Sequence, residues 1–326
     1  MKCYFCLTAP DSRNEIYSNL FKLSLKSALE NTDLEMVIMY DGDAETDCSN
    51  IMNEYQARYN DRVRVIPHRF SLEEDLKSAY SNHYIKMVSE NSSLKKISGA
   101  FMRLDVPFVE EKDEFVLYTD IDVYFNKNLD TDKLAKPKFL AAAPEFEKDI
   151  LNLKYFNSGV MLLNVENMRN KCKLIFEELK TGKIENSGLL DQGLLNKYCF
   201  NDMDILPLEY NWKPYWGINP DARIIHFHGM KPGGNFSNSG FAMTEKILVD
   251  VSNIYPESIP GLVFYSELFF EKLGKSSSDW VPFFVSKIFE LNKKGFKNLN
   301  HVSSKELKNI LKIYLKERIN KLICRR

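Results

Sequence analysis

The chain has no long apolar run. No uninterrupted stretch approaches the ~20 residues needed to cross a bilayer, so a spanning segment is not expected. The start, Met1-Lys2-Cys3-Tyr4-Phe5-Cys6, lacks the apolar core and small-residue cleavage site of a secretory signal and runs straight into a strand pattern. A cytoplasmic location follows as the expectation. Cysteines are few and scattered, at positions 3, 6, 48, 172, 199 and 324. Cys3 and Cys6 have C-x-x-C spacing, but no second pair follows, which argues for buried thiols in a core strand rather than a zinc or redox site. A reducing compartment suits that pattern. Internal repeats and low-complexity linkers are also missing.

Net charge is nearly absent, at −1 over 326 residues, but it is unevenly spread. Residues 291–326 hold eleven Lys or Arg against two Glu, a net of +9, which leaves −10 for the rest. A basic tail on an acidic body suggests a polyanionic surface as partner. Hydrophobic residues at 44% and charged residues at 27% are ordinary for a globular protein, and the length suits one large domain or a domain with an appendage.

The first half alternates strand-like and helix-like segments. Strands are expected at Lys2 to Thr8, Met36 to Tyr40 and Val63 to Ile66, the last stopped by Pro67. Helices are expected from Tyr17 to Leu29 and from Ile51 to Tyr59. Further strands are expected at Phe139 to Ala143, Gly159 to Asn164 and Arg223 to His228, with a helix from Leu189 to Tyr198 and mainly helices after residue 243. Such alternation argues for an α/β fold with a largely parallel sheet.

One stretch stands out within this frame. Phe115-Val-Leu-Tyr-Thr-Asp120-Ile121-Asp122-Val-Tyr-Phe125 is an apolar run that carries two carboxylates at its tip. Two bare carboxylates there would repel each other, and a hard divalent cation such as Mn²⁺ or Mg²⁺ removes that objection. The plain alternative is a strand end with two solvated aspartates. A second cluster is Arg223-Ile-Ile-His226-Phe-His228-Gly229-Met-Lys231-Pro-Gly-Gly234, where a strand ends in histidine and a glycine-rich turn carries a lysine. Imidazole can complete a carboxylate-rich metal site, and glycines with a lysine can approach a phosphate. His226 and His228 would share one strand face, so spacing does not choose between them. Asn157-Ser158-Gly159 reads as a polar turn ahead of a buried strand, able to bind sugar hydroxyls. Asp191-Gln192 opens a helix, where capping is the plain reading. Arg103, in Phe101-Met-Arg-Leu-Asp-Val-Pro107, can pair a phosphate or carboxylate with its fork, or form a surface salt bridge.

Taken together and in order, these motifs over residues 1–235 resemble the family 8 retaining glycosyltransferases, which include glycogenin and the bacterial lipopolysaccharide galactosyl- and glucosyltransferases. The resemblance implies a single Rossmann-like, nucleotide-sugar-binding domain of GT-A type over 1–245, with a helical, basic extension over 246–326. It implies Asp120, Asp122 and His226 as ligands of Mn²⁺ or Mg²⁺. It places Thr8, Ala9, Tyr17, Arg103, Ile121, Asn157, Ser158, Gly229 and Lys231 around a UDP-sugar, UDP-glucose or UDP-galactose, and Asp191 and Gln192 at the reacting face. The family's K-P-W loop departs here: it is one residue shorter, with Gly233 in place of tryptophan. The expected acceptor is a glycan or glycolipid.

Residues 303–323 are patterned as a basic amphipathic helix. Ser303 and Glu306 have capping-box spacing, Leu307, Ile310, Leu311, Tyr314, Leu315, Ile319, Leu322 and Ile323 form one stripe, and Lys305, Lys308, Lys312 and Lys316 lie off it. Peripheral attachment to a membrane is expected, against the alternative of a helix packed on the body. Nucleic acid is not expected, since the basic face has little aromatic interleaving. Two other readings remain at this point. A haloacid-dehalogenase-type phosphatase also uses D-x-D, though without the later acidic motif here, and a non-catalytic carbohydrate-binding protein is the second.

Overall fold

The computed structural model of the chain describes residues 1–8, 15–42, 46–79, 94–182, 190–233, 248, 251 and 254–293. The expectations for Ala9, Gly234 and the helix at 303–323 lie outside these residues. The chain divides into two compact units. The first is Met1–Trp212 with Asp221–His226, and the second is Lys213–Pro220 with the chain from Phe227 onward.

The first unit is built on a seven-stranded sheet. Its strands in chain order are β1 (Lys2–Thr8), β2 (Glu35–Asp41), β3 (Val63–Pro67), β4 (Phe115–Thr119), β6 (Leu140–Pro144), β7 (Phe156–Asn164) and β8 (Asp204–Ile205), arranged as β3-β2-β1-β4-β7-β6-β8. Six strands run parallel and β7 alone is reversed, antiparallel to both β4 and β6. A separate two-stranded ribbon pairs β5 (Val123–Phe125) with β9 (Ile224–His226), antiparallel.

The inner strands read as nearly continuous apolar runs because both sheet faces are covered. Alternation still sorts them. Tyr4, Val37, Met39, Val116, Tyr118, Met161 and Leu163 face one core. Cys3, Phe5, Leu7, Met36, Ile38, Leu117, Val160 and Leu162 face the other. Helices α1 (Glu15–Asn31) and α2 (Asp47–Arg58) cover the second core with Phe21, Leu25, Ala28, Cys48, Met52 and Tyr55. On the first core lie α3 (Glu73–Ala79), α4 (Leu94–Phe101), α6 (Val165–Lys180) and α7 (Leu190–Cys199), with the short α5 (Val106–Val109) before β4. The result is the expected α/β fold with a largely parallel sheet, helices lying on both of its faces.

Several boundaries differ for local reasons. α2 begins at Asp47, ahead of Ile51, because Thr46 and Ser49 form a reciprocal capping box. Pro67 does not stop β3 but ends it in register with Tyr40; β3 is an edge strand, where a missing N–H is tolerated. Asn157-Ser158-Gly159 is not a turn but lies inside β7, and His228 lies beyond β9. Cys3 is fully buried in β1 and its thiol is pushed up to about 12 by burial, as a structural thiol should be.

The second unit holds α8 (Ser258–Lys272) and α9 (Trp280–Lys293). Gly261 of α8 packs so closely on Pro214 that a Cβ would strike the Pro214 carbonyl. The Tyr265 hydroxyl clips Asn219, accepting from its N–H at 3.0 Å and donating to its carbonyl at 3.1 Å. Among the described residues no helix is long and apolar enough to cross a membrane.

Candidate active site

β4 delivers its two carboxylates as expected, but as the link between two sheets. Thr119 ends the central sheet, Asp120-Ile121-Asp122 crosses over, and Val123 starts the ribbon. The Asp120 N–H donates to the Gly159 carbonyl at 2.7 Å, which ties the link to β7. Ile121 turns inward and is buried in the second core, so its side chain serves packing. The ribbon's register sets His226 opposite Val123, one residue from Asp122.

Asp120, Asp122 and His226 each offer one ligand atom within 4.8 Å of the others. His226 Nε2 lies 3.3 Å from Asp122 Oδ1, with both side chains nearly inaccessible to solvent. Two carboxylates and an imidazole are a donor set suited to Mn²⁺ or Mg²⁺. Gly159 leaves room beside them: a Cβ there would run into His226 Cε1 and stand 2.8 Å from Asp120 Oδ2. The residues therefore fit a divalent cation.

Arg103 is the hub on the other side of Asp120. It sits in the 3-10 turn Met102–Asp105 and is buried. Nη2 pairs with Asp120 Oδ1 at 3.0 Å, and Nη1 donates to the Ser158 carbonyl at 2.9 Å and to Ser158 Oγ at 2.7 Å. The guanidinium lies 4.9 Å over the Tyr118 ring, whose hydroxyl donates to Asp120 Oδ1 at 2.8 Å. Burial opposes the arginine's charge, but Asp120 and Asp191 outweigh it and raise its pKa. Of the readings the sequence left open for this arginine, its fork pairs a carboxylate, Asp120, from a buried position and also binds β7.

Asp191 is the poorly matched member. Arg103 Nε lies 3.0 Å from Asp191 Oδ2, yet its N–H is directed to the Ala100 carbonyl at 2.9 Å. Asp191 Oδ2 is buried and accepts no hydrogen bond among the described residues. Burial pushes the carboxyl up to about 6; Arg103 and the backbone N–H groups of Asp191 and Gln192 oppose the shift, and Asp120 adds to it. A buried carboxyl perturbed this way, next to a candidate metal site, is a candidate functional position.

β7 and α7 are stitched together by side-chain amides. Asn196 accepts from the Phe156 N–H at 2.8 Å and donates to the Phe156 carbonyl at 2.9 Å, replacing a missing strand partner. Gln192 Oε1 accepts from the Ser158 N–H at 2.8 Å, from Ser158 Oγ at 3.1 Å and from Asn157 Nδ2 at 3.3 Å. Asn157 Nδ2 also donates to Glu145 at 2.7 Å. Asn157, Ser158, Asp191 and Gln192 are thus brought together with Arg103 and the carboxylates. Glu145, Asn196 and Asn211 belong to the same network and carried no motif; as single polar residues with remote partners, they gave no spacing signal.

Thr8 is buried at the end of β1, in register with Asp41, and Tyr17 packs against the second core from α1. Gly229 and Lys231 belong to the second unit. Gly229 and Gly233 adopt φ of 78° and 84°, the left-handed region that favours glycine, as a tight loop requires. Lys231 Nζ donates to the Phe227 carbonyl at 3.0 Å. His228 bonds the Tyr215 hydroxyl through Nδ1 at 2.9 Å, so of the two histidines only His226 joins the carboxylates.

A family model described as glycosyl transferase family 8 matches residues 13–234, more than half of the chain. The chain belongs to glycosyl transferase family 8. As a family 8 member it is a glycosyltransferase enzyme, and the phosphatase and non-catalytic readings give way. β1, the first strand, also carries no carboxylate at its C-terminal end, where a phosphatase of that type holds its nucleophile. Among solved structures, the galactosyltransferase LgtC in complex with donor and acceptor sugar analogues is 18% identical, with 84% of this chain and 95% of that one covered and a TM-score of 0.55. The apo glycosyltransferase GlyE of Streptococcus pneumoniae TIGR4 is 17% identical, with 88% and 64% covered and a TM-score of 0.53. At these identities the likeness is one of fold, a GT-A-type α/β fold. No curated protein sequence matches the chain.

Proposed function

We propose that this glycosyltransferase moves a hexose from a UDP-sugar, UDP-glucose or UDP-galactose, to a hydroxyl of a glycan or glycolipid, with retention and in dependence on Mn²⁺ or Mg²⁺. The observation that carries the reading is the convergence of Asp120, Asp122 and His226 within 4.8 Å. These three would hold the cation. When bound, it supplies Lewis-acid neutralisation of the departing diphosphate.

The chain's own residues have the remaining tasks. Thr8, Ala9 and Tyr17 would meet the nucleoside, and Lys231 with the Gly229 turn would meet the pyrophosphate. Arg103 holds Asp120 and β7 in place, and so orients the carboxylate. Asn157 and Ser158 would present hydrogen-bonding groups to the donor sugar. Asp191 and Gln192 would line the reacting face, with the departing phosphate accepting the acceptor's proton. Support for the donor and acceptor classes comes from family membership and from LgtC, which was crystallised with donor and acceptor sugar analogues. Attachment to a membrane surface through 303–323 is part of the same proposal and rests on the sequence pattern alone.

Donor hydrolysis over a panel of nucleotide sugars, with and without Mn²⁺, tests the reading. UDP-hexose cleavage that requires the cation and is lost when Asp120→Asn and Asp122→Asn are combined is the expected result. Full activity in that double variant sinks it. Liposome sedimentation of the full chain against one ending near residue 290 tests the tail, and equal binding by both removes it from the proposal.

A further inference from the structure

The hydrogen-bond chain behind His226 can be read from its fixed end. Backbone N–H groups cannot reverse their polarity, so they set the direction of every amide after them. The Gly159 N–H donates to Asn157 Oδ1 at 3.1 Å, which fixes that amide with its oxygen toward β7. The Ser158 N–H likewise fixes Gln192 Oε1, to which Asn157 Nδ2 donates. Asn211 must then offer its Nδ2 to Asn157 Oδ1, at 2.9 Å. That leaves Asn211 Oδ1 as the atom facing His226 Nδ1, also at 2.9 Å. An acceptor there requires the proton on Nδ1. With Nδ1 protonated, Nε2 is the nitrogen that faces Asp122 Oδ1, at 3.3 Å. That contact is made either by a second N–H of an imidazolium or, with that proton displaced, by a cation that both atoms ligate.

We propose that Asn211 is a positioning residue, which holds His226 in the Nδ1–H tautomer so that Nε2 is presented to the cation beside Asp122. Asn211 is fully buried, at the end of the 3-10 turn Leu208–Tyr210, and its own N–H is bonded to the Leu208 carbonyl at 3.1 Å. Among the described residues its side chain bonds two partners, Asn157 and His226. The relay also joins the candidate sugar-binding residues to the candidate metal ligands through one amide. An outer partner of this kind fixes ring orientation and raises ligand basicity. The inference rests on the proposed role of His226 as a metal ligand.

The test is Mn²⁺ titration of the full chain without donor, followed by electron paramagnetic resonance of the free ion. Asn211→Ala should weaken Mn²⁺ binding by about 10- to 100-fold, and Asn211→Asp, whose carboxyl when protonated in this buried place keeps both an acceptor for Nδ1–H and a donor for Asn157 Oδ1, should stay within about threefold of the unsubstituted chain. Thermal unfolding of the metal-free variants separates this from loss of fold. Equal Mn²⁺ affinity in Asn211→Ala, or equal loss in both variants, overturns the role of Asn211. An unsubstituted chain that takes up no Mn²⁺ overturns the proposed metal site itself, a different failure. A measurement without substitution stands beside these. Long-range ¹H–¹⁵N spectra of the metal-free chain at alkaline pH, with the signal assigned by its absence in His226→Gln, should show the His226 proton on Nδ1. A proton on Nε2 overturns the proposal.

Discussion

Tyr4 and Tyr118 stand side by side on β1 and β4, and their hydroxyls lead to two buried ion clusters that differ in kind. Tyr4 donates to Glu110 at 2.7 Å, toward the start of the strands. Tyr118 donates to Asp120, at their far end. At the first cluster, Lys2 Nζ contacts Glu110 Oε1 and Oε2 at 2.8 and 2.9 Å, and Asp113 Oδ2 at 3.2 Å. The N–H groups of Lys112 and Asp113 donate to the same carboxylate at 2.7 and 2.9 Å. Burial opposes ionisation of Glu110, but Lys2, these N–H groups and Tyr4 outweigh it and hold the carboxyl down at about 2. At the second cluster, one arginine faces two aspartates, and Asp191 sits near 6 with a buried oxygen that accepts no hydrogen bond among the described residues. A saturated carboxylate stabilises the fold; an under-served one is retained at a cost in stability, which is the expected mark of a site kept for chemistry. The surface recess of about 450 Å³ lined by Lys2, Glu35, Arg64, Glu110 and Asp113 lies at the saturated end, and its size therefore does not indicate function.

Removing one partner from the first cluster should have the largest effect on stability. Glu110→Ala leaves the Lys2 ammonium with Asp113 as its remaining ion-pair partner among the described residues, a loss of at most about 3–5 kcal/mol by urea unfolding at neutral pH, since Lys2 also lines the recess. The Mn²⁺ affinity of the folded fraction should be unchanged. A wild-type unfolding midpoint would break the contrast at its strong end. The pH sign follows from the depressed pKa. Glu110 contributes stability that is present above its unfolded value of 4.5 and is lost as pH falls toward about 2.

Asp191→Asn should act in the opposite direction. Its pKa is raised from 3.8 to about 6, so the native chain binds the extra proton between those values and stability falls as pH rises through that window. Above pH 6 the ionised Asp191 is a burden on the fold, and Asn should raise stability there by at most about 3 kcal/mol, since one pKa unit is worth about 1.4 kcal/mol. The gain should disappear below about pH 4. Transfer activity should fall on the order of 10²-fold, as when one preorganised polar group is removed from a reaction site. A variant that is both less stable at pH 8 and fully active would erase the distinction between the clusters.

These clusters also show what a sequence can reveal. Asp120-x-Asp122 was legible because it interrupts an apolar run, an unusual place for charge; His226 was one of two histidines on a strand, and only the family resemblance preferred it to His228. Lys2 and Glu110 meet across 108 positions, and nothing local to either marks the other. The same holds for Asn211 and Glu145. Asn157-Ser158-Gly159 reads as a turn because small polar residues favour one. They lie inside β7 because Asn196 and Gln192, from α7, satisfy the backbone that such residues would otherwise satisfy themselves. The parallel sheet followed from strand–helix alternation, but the reversal of β7 did not. Its two faces are apolar in either direction, and the hydrophobic pattern carries no sign.

The smallest change sharpens the comparison most, because it adds one methyl group at the functional end and alters no charge. Gly159 has no left-handed backbone to excuse it, so its lack of a side chain is explained by space alone. A Cβ at 159 would press on His226 and Asp120 from the β7 side, between the imidazole and the carboxylate. Overpacking of this kind costs about 1–3 kcal/mol where the neighbours cannot yield. His226 is held through Asn211, and Asp120 through Arg103 and Tyr118, so neither is free to move aside. Gly159→Ala should therefore weaken Mn²⁺ binding in the free-ion titration by at least tenfold, on the order of an outer-partner loss, while its unfolding curve shifts less than that of Glu110→Ala. If Mn²⁺ affinity survives intact, the space beside Asp120 and His226 is only packing slack, and the functional end of the sheet loses the geometric argument that sets it apart from the Lys2 cluster.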